Sequence, residues 1–390
     1  MNKSLHCIIQ EVCNVDAGNR LTLHEPNFAN SNAENYVNEC ISTGWVSSAG
    51  KFVDKFEDSI STYTKSTFSV AVNNGTAALR LALQAVGVER DSEVLMPSLT
   101  FVATANAISH LGAYPHFIDI CAKDLGLSPI NLDSRLSEIA VKEEGFVINK
   151  LTGRKIKAVV FVHVFGNPGS IIEIKKVCEK WDLPLVEDAA EALGSWVDGT
   201  HCGLIGDVGC ISFNGNKIIT TGGGGTIITN SKSHADFCRH ISTTAKKPHP
   251  WEFDHDMIGW NERMPNINAA IGLAQMECLD EKLAKKKTLH SKYIEAFSSI
   301  ANIDIVLACP SVICNNWLNT IRFNNEDVQK AKIKRLEEIE LCHSNNVLVR
   351  PVWKPIHQLI MYTNHQSGKL ETTESESLRL LSLPSSPQLV

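Results

Sequence analysis

The stretch CISFNGNKIITTGGGGTIIT, residues 210–229, sets one lysine, Lys217, between two short apolar runs and ahead of four glycines, Gly222 to Gly225. An amine beside Ile218 and Ile219 is expected to lose hydration, which favours the neutral form that attacks a carbonyl. A strand lysine reaching along its apolar stem to solvent is the competing reading. The glycines are not followed by G-K-[ST], so they are no Walker loop; they permit a tight turn or a close backbone approach. Directly after the apolar run LPLV come Glu187 and Asp188 in EDAAEALGS. Carboxylates there must face solvent, a metal or a cation. No H-x-x-E or clustered histidine supplies further metal ligands, and a structural capping role is the alternative. After FSVAV, the sequence NNGTAAL opens a helix with a glycine and a hydroxyl residue. The amides of Thr76 and Ala77 and the Thr76 hydroxyl could hold a phosphate there, or form an ordinary helix cap. An amine able to form an imine, a carboxylate to pair with a protonated ring nitrogen and a phosphate cradle are together the fixtures of pyridoxal phosphate.

These groups need a frame. Between residues 67 and 230 short apolar runs (FSVAVN, EVLMPS, YPHFIDI, KAVVFVHVFG, LPLVEDAA, GCISF, GTIIT) alternate with helical patterns at 75–87, 104–112, 131–144 and 170–181. Runs apolar on both faces suit central strands covered by helices, so the fold class is α/β with a mostly parallel sheet. Residues 145–155, GFVINKLTGRK, read as a small hairpin before the next strand. A long helical segment with Pro265 near its start leads to a change of character. Residues 1–282 are therefore read as a large domain with an N-terminal segment, and 283–390 as a smaller α+β domain built on DIVLACP, WLNTIRF, VLVRPVW and the helix VQKAKIKRLEEIELCH. The final LSLPSSPQLV reads as a loop or tail.

Composition bounds the rest. With 43% hydrophobic and 21% charged residues over 390 positions, the chain reads as globular rather than disordered. A net charge of −6, with basic residues only in short clusters, argues against a nucleic-acid partner. The 12 cysteines are scattered without C-x-x-C pairs, which fits buried thiols in a reducing compartment. No leader-like apolar core or membrane-length apolar window is seen, and a cytoplasmic protein is expected.

The ordered motifs NNGTAAL, MPSLTFVATANAI, VEDAAEALGS, SFNGNKIITTGGGG and GWNERMPNINAAIG resemble the DegT/StrS family of nucleotide-sugar aminotransferases. The likeness runs from TGWVSSAGKFVDKFE to RPVWKPIHQL. It implies the type I fold of pyridoxal-phosphate enzymes, with a seven-stranded sheet in the large domain. It further implies that Lys217 holds the cofactor, in its pyridoxal or pyridoxamine form, and that Asp188 pairs with the ring nitrogen. Gly75, Thr76, Ala77 and Ser212 would surround the phosphate, and Phe101 would stack on the ring. Glu191 stands where many relatives have a glutamine near the ring hydroxyl. Asn261 resembles a residue that reaches the neighbouring subunit's phosphate, so a homodimer with shared active sites is expected. Trp45, Ser47, Ser48, Arg350, Trp353 and His357 match substrate-side segments, and Arg263 either faces the substrate or forms a surface ion pair. His163 reads as a satisfied core histidine or a residue near the cofactor. The same segments resemble the branch that aminates a UDP-linked 4-keto-6-deoxy-N-acetylhexosamine, toward bacillosamine or legionaminic acid, with glutamate as donor. Amination of a GDP-linked (perosamine-type) or dTDP-linked sugar is the alternative. A dehydratase of the family is disfavoured by the lysine at 217, where such relatives carry histidine. A non-catalytic sensor is disfavoured by the intact lysine and aspartate pair, and a nicotinamide oxidoreductase by the missing G-x-G-x-x-G.

Overall fold

Runs such as Phe68–Val72 and Glu93–Pro97 offer water no polar face, so they are stable only where helices cover both sides. The computed structural model describes residues 3–16 and 18–390; Met1, Asn2 and Ala17, within the stretch read as lacking a leader, lie outside the described residues. The large sheet uses β1 (Phe68–Val72), β2 (Glu93–Pro97), β3 (Tyr114–Ile118), β4 (Ala140–Glu143), β5 (Phe146–Asn149), β6 (Lys155–Val162) and β7 (Leu185–Asp188). After the two-residue strands β8 (Trp196–Val197) and β9 (Thr200–His201), it is completed by β10 (Val208–Ser212) and β11 (Gly225–Thr229). Seven strands run in the order β1-β11-β10-β7-β6-β2-β3, and β4 and β5 extend the sheet to nine. The five from β10 to β3 are mutually parallel, whereas β11 is antiparallel to both neighbours. A two-sided apolar run does not encode direction, so the reversal at β11 was not visible in its sequence.

Among the described residues the first nine α-helices are α1 (Leu5–Val12), α2 (Ala33–Thr43), α3 (Lys51–Thr64), α4 (Gly75–Ala85), α5 (Ala103–His110), α6 (Pro129–Ile139), α7 (Ile171–Trp181), α8 (Lys232–Ser242) and α9 (Asn266–Met276). The helix expected over 131–144 stops at Ile139, because Ala140 to Glu143 leave it to pair with β5. The hairpin expected over 145–155 is present as β5 turning into β6. The long helical segment after Pro265 is two helices, α9 and α10 (Leu279–Phe297), broken at Glu277 and Cys278.

The remaining strands are β12 (Ile303–Ile305), β13 (Val312–Ile313), β14 (Asn319–Phe323), β15 (Arg350–Pro351) and β16 (Leu380–Leu383), with α11 (Val328–Ser344) and α12 (Glu371–Arg379) beside them. The small sheet has the order β12-β14-β16-β15 and is antiparallel throughout, while β13 pairs with β8 in a three-stranded sheet with β9. The end of the chain is therefore not a loop or tail. Leu380, Leu381 and Leu383 are buried in an inner strand, and Ser385 and Ser386 behind them are buried as well. Helix α1 contributes Leu5, Ile8, Ile9 and Val12 to the core of this small sheet, together with Tyr293, Ile321 and Leu381.

One buried charge anchors the start of the strand that leads to the site. Glu93, fully buried on β2, accepts from Asn149 Nδ2 (2.8 Å), Thr152 Oγ1 (2.5 Å) and the His116 ring (3.0 Å), with Arg154 at 3.7 Å. Burial pushes its pKa up, but those bonds outweigh it and leave the carboxyl below its ordinary range. Glu93→Ala would strand these donors inside the sheet; we expect a loss of about 3 kcal/mol in urea unfolding.

Candidate active site

The parallel strands end along one edge, where an open α/β sheet leaves a crevice beyond its carboxyl ends. There a cavity of about 420 Å³ is walled by the residues following β1, β2, β6, β7 and β10, and closed on the far side by Trp317, Arg350 and Trp353 of the C-terminal region.

One wall is the start of α4. Gly75 and Thr76 stand at its first positions, where backbone amides have no intrahelical acceptor. Ala77 was expected to offer its amide beside that of Thr76, but its N–H already donates to the capping side chain of Asn74 (2.8 Å). The Thr76 side and Ser212, at the end of β10, face the same cavity. The packing explains the glycines. A Cβ on Gly75 would lie 2.8 Å from Ser212 Cβ, and one on Gly225 would lie 2.7 Å from the backbone of Asn74. Only glycine lets β11 press against the Asn74–Gly75 turn, and Gly222, at φ +82°, makes the turn that brings the chain there.

Lys217 lies in the loop between β10 and β11, not in a strand. Ile218 and Ile219 bury themselves in the core and so hold the lysine toward the cavity. Its Nζ is 3.0 Å from Glu191 Oε1 and 4.0 Å from the centroid of the Trp317 ring. Glu191 thus contacts the lysine itself. Its other oxygen accepts the Phe165 amide (2.9 Å), which holds Phe165 in a left-handed conformation (φ +57°) with its ring stacked on Trp353 at 5.1 Å. Burial pushes the Glu191 carboxyl up, opposed by Lys217.

Successive residues of a strand point to opposite faces, and this divides the two acids that end β7. Asp188 faces the cavity. Glu187 faces away, bound to the His163 ring at 2.8 Å and to the amides of Gly203 and Gly206 at 2.7 and 2.5 Å. His163 is accordingly a buried histidine tied to Glu187, although its Nδ1 has no partner among the described residues. Asp188 accepts from Thr104 Oγ1 at 2.7 Å and from the Ala190 amide at 3.2 Å. Burial pushes its carboxyl up, and those two bonds with the more distant Lys217 only oppose the rise. A buried carboxylate with two neutral donors and no cation in contact is suited to a cationic ring nitrogen. Phe101, 55% exposed on the cavity wall, offers an uncovered ring face. Pyridoxal phosphate fits this donor set: Lys217 for the aldehyde, Asp188 for the ring nitrogen, Phe101 for the ring face, and Gly75, Thr76 and Ser212 for the phosphate.

Not every expected residue reaches the cavity. Arg350 and Trp353 line it. Arg263 does not: its guanidinium pairs with buried Glu57 at 2.8 Å, which also binds Arg239 and the Ala71 amide. His357 is held by Ser98 Oγ (2.8 Å) and Glu374 (3.2 Å), outside the cavity wall. The carbonyls of Trp45 and Ser47 accept from Asn266 at the start of α9, and Ser48 is exposed beside them. Asn261 bridges to Thr243 at the surface. Thr104 and Trp317 are the contacts that sequence reasoning missed. Thr104 lies inside a motif already singled out, but nothing in its spacing separates it from the neighbouring threonine. Trp317 reads as a strand aromatic.

Lysine, inward carboxylate and helix-start cradle on a mostly parallel sheet define the type I fold of pyridoxal-phosphate-dependent aminotransferases. The chain belongs to the DegT/DnrJ/EryC1/StrS aminotransferase family, whose model matches residues 28–390. It is 33% identical over 369 residues to GDP-perosamine synthase of Escherichia coli O157:H7, covering 95% of this chain and 94% of that one. It is also 33% identical over 343 residues to the putative pyridoxal phosphate-dependent aminotransferase EpsN of Bacillus subtilis (strain 168), covering 86% and 84%. Among solved structures, the aminotransferase TlmJ of Streptoalloteichus hindustanus superposes with a TM-score of 0.82 at 26% identity over 94% of each chain. The chain is a sugar aminotransferase of this family, and its cofactor is pyridoxal phosphate. Among the described residues no helix is long and apolar enough to cross a membrane, and no three His, Cys, Asp or Glu gather as metal ligands.

The raised Asp188 carboxyl has a consequence in the cofactor-free protein. A carboxyl that binds its proton more tightly when folded loses stability as pH rises from the unfolded value through the raised one, and the full cost persists above it. Asp188→Asn removes that cost. We expect the cofactor-free variant to melt higher than the parent at pH 8, with the difference closing below about pH 4, in thermal scans across pH.

Proposed function

We propose that the chain transfers an amino group from glutamate to the C4 keto carbon of a nucleotide-linked 4-keto-6-deoxyhexose. The observation that carries the reading is the meeting of Lys217, Glu191 and Asp188 in one cavity with the open start of α4. When bound, the cofactor supplies an aldehyde carbon for the amine and a cationic ring that stores an electron pair. Asp188, one oxygen of which is held by Thr104 and the other by Ala190, would pair with the ring nitrogen. Lys217 Nζ takes the proton from the α-carbon of glutamate and, in the return half, delivers a proton to C4 of the sugar. Glu191 keeps that Nζ on the same face in both halves. Phe165, Trp317 and Trp353 exclude water and offer apolar faces to a sugar ring, with Arg350 at the same wall for an anionic group.

The nucleotide has two readings. Likeness to GDP-perosamine synthases over 95% of the chain favours a GDP-linked sugar. The segments TGWVSSAGKFVDKFE and RPVWKPIHQL resemble the branch that takes UDP-linked 2-acetamido sugars. A homodimer is part of the proposal. Trp251, Phe253 and Ile258 are 76%, 78% and 90% exposed on the loop before Asn261, more apolar surface than a lone subunit usually presents.

Incubation with glutamate and a panel of GDP-, UDP- and dTDP-linked 4-keto sugars, read by mass, is expected to show a carbonyl replaced by an amine on one nucleotide class. Lys217→Ala should lose this conversion together with the visible absorbance of the cofactor. Turnover retained in that variant would remove Lys217 from the chemistry.

A further inference from the structure

The connection from β2 into the first turn of α5 does more than present Phe101. Thr104 is almost fully buried, and its Oγ1 lies 2.7 Å from Asp188 Oδ2. A second acceptor, the carbonyl of Phe101, stands at 3.4 Å, and the hydroxyl of buried Thr100 at 3.4 Å. A hydroxyl has one proton, and the shorter contact to a carboxylate takes it. With that proton committed, the Thr100–Thr104 contact is satisfied only if Thr100 donates to Thr104. This makes a directed chain from Thr100 through Thr104 to Asp188, in which each bond polarises the next. The other oxygen of Asp188 is held by the Ala190 amide at 3.2 Å. Both oxygens are thus fixed before any ring arrives, and the shorter of the two bonds comes from the first turn of α5, directly after the loop that carries the ring-facing phenylalanine.

We propose that Thr104 is a positioning residue for the cofactor: its hydroxyl orients Asp188 and, by donating to it, favours the carboxylate form that a protonated ring nitrogen needs. The inference rests on the pyridoxal-phosphate reading of the cavity. Thr104→Val keeps the shape and removes the proton; Thr104→Ser keeps the proton and removes a methyl group. Because the Thr104 bond opposes the upward push of burial on the Asp188 carboxyl, its loss raises that carboxyl further.

The test is titration of the cofactor-free protein with pyridoxal phosphate by fluorescence, beside thermal scans from pH 5 to pH 8 without cofactor. Thr104→Val should bind about tenfold more weakly or worse, and its melting temperature should fall more steeply with rising pH than the parent's. Thr104→Ser should track the parent in both measurements. A hydroxyl that merely fills space would leave the pH slope unchanged. If Thr104→Val does not fold, Thr104→Ala takes its place with the same expectations. Parent-like affinity and slope in the valine or alanine variant would overturn the proposal. A parent protein that fails to bind pyridoxal phosphate would instead overturn the reading on which it rests.

Discussion

A carboxylate buried without a counter-ion is the constraint on which the rest of the site depends. Moving Asp188 out of water is unfavourable, and neutral donors return only part of what hydration supplied. The fold holds it there because β7 is a central strand, its neighbours are parallel on both sides, and its last residue must point either into the crevice or into the packed layer beneath. The layer beneath is occupied by Glu187, which collects a histidine and two amides and is complete by itself. The two adjacent acids therefore divide the work, one structural and one chemical.

The lysine side of the cavity is solved differently. Lys217 has an ion partner inside the protein, an aromatic face to lie on, and two isoleucines that fix its loop. Glu191 links this cation to Phe165 and through it to Trp353. The amine that moves protons and the wall that meets the sugar are therefore coupled mechanically through one side chain. A glutamine could accept the same amide, but it could not form the ion pair.

Much of this was legible in the sequence, for identifiable reasons. The alternation of two-sided apolar runs with helices gave the α/β class. The position of Asp188 at the end of such a run, and of Lys217 beside two apolar residues, marked the chemistry, since polar groups at those places require a partner. What stayed hidden depends on contacts between distant segments. Arg263 was open between substrate and ion pair, and only the fold brings it to Glu57. Ala77 was counted as a free amide because nothing local says that Asn74 has already used it. β16 was hidden because four residues bounded by a proline carry no periodicity, whereas their near-complete burial is plain once β14 and β15 flank them.

The place of β16 bears on how the molecule is made. It is the last strand in the chain and an inner one in its sheet, and the sheet's core also contains α1 from near the beginning. During synthesis the large sheet can assemble early, but the small one lacks its middle until residues 380–383 have left the ribosome. Until then α1 has no finished surface to pack on, and the wall carrying Arg350 and Trp353 is not fixed. The crevice wall beside Arg350 therefore takes shape only once residues 380–383, which pair with Arg350 and Pro351 and come later in the chain, are in place.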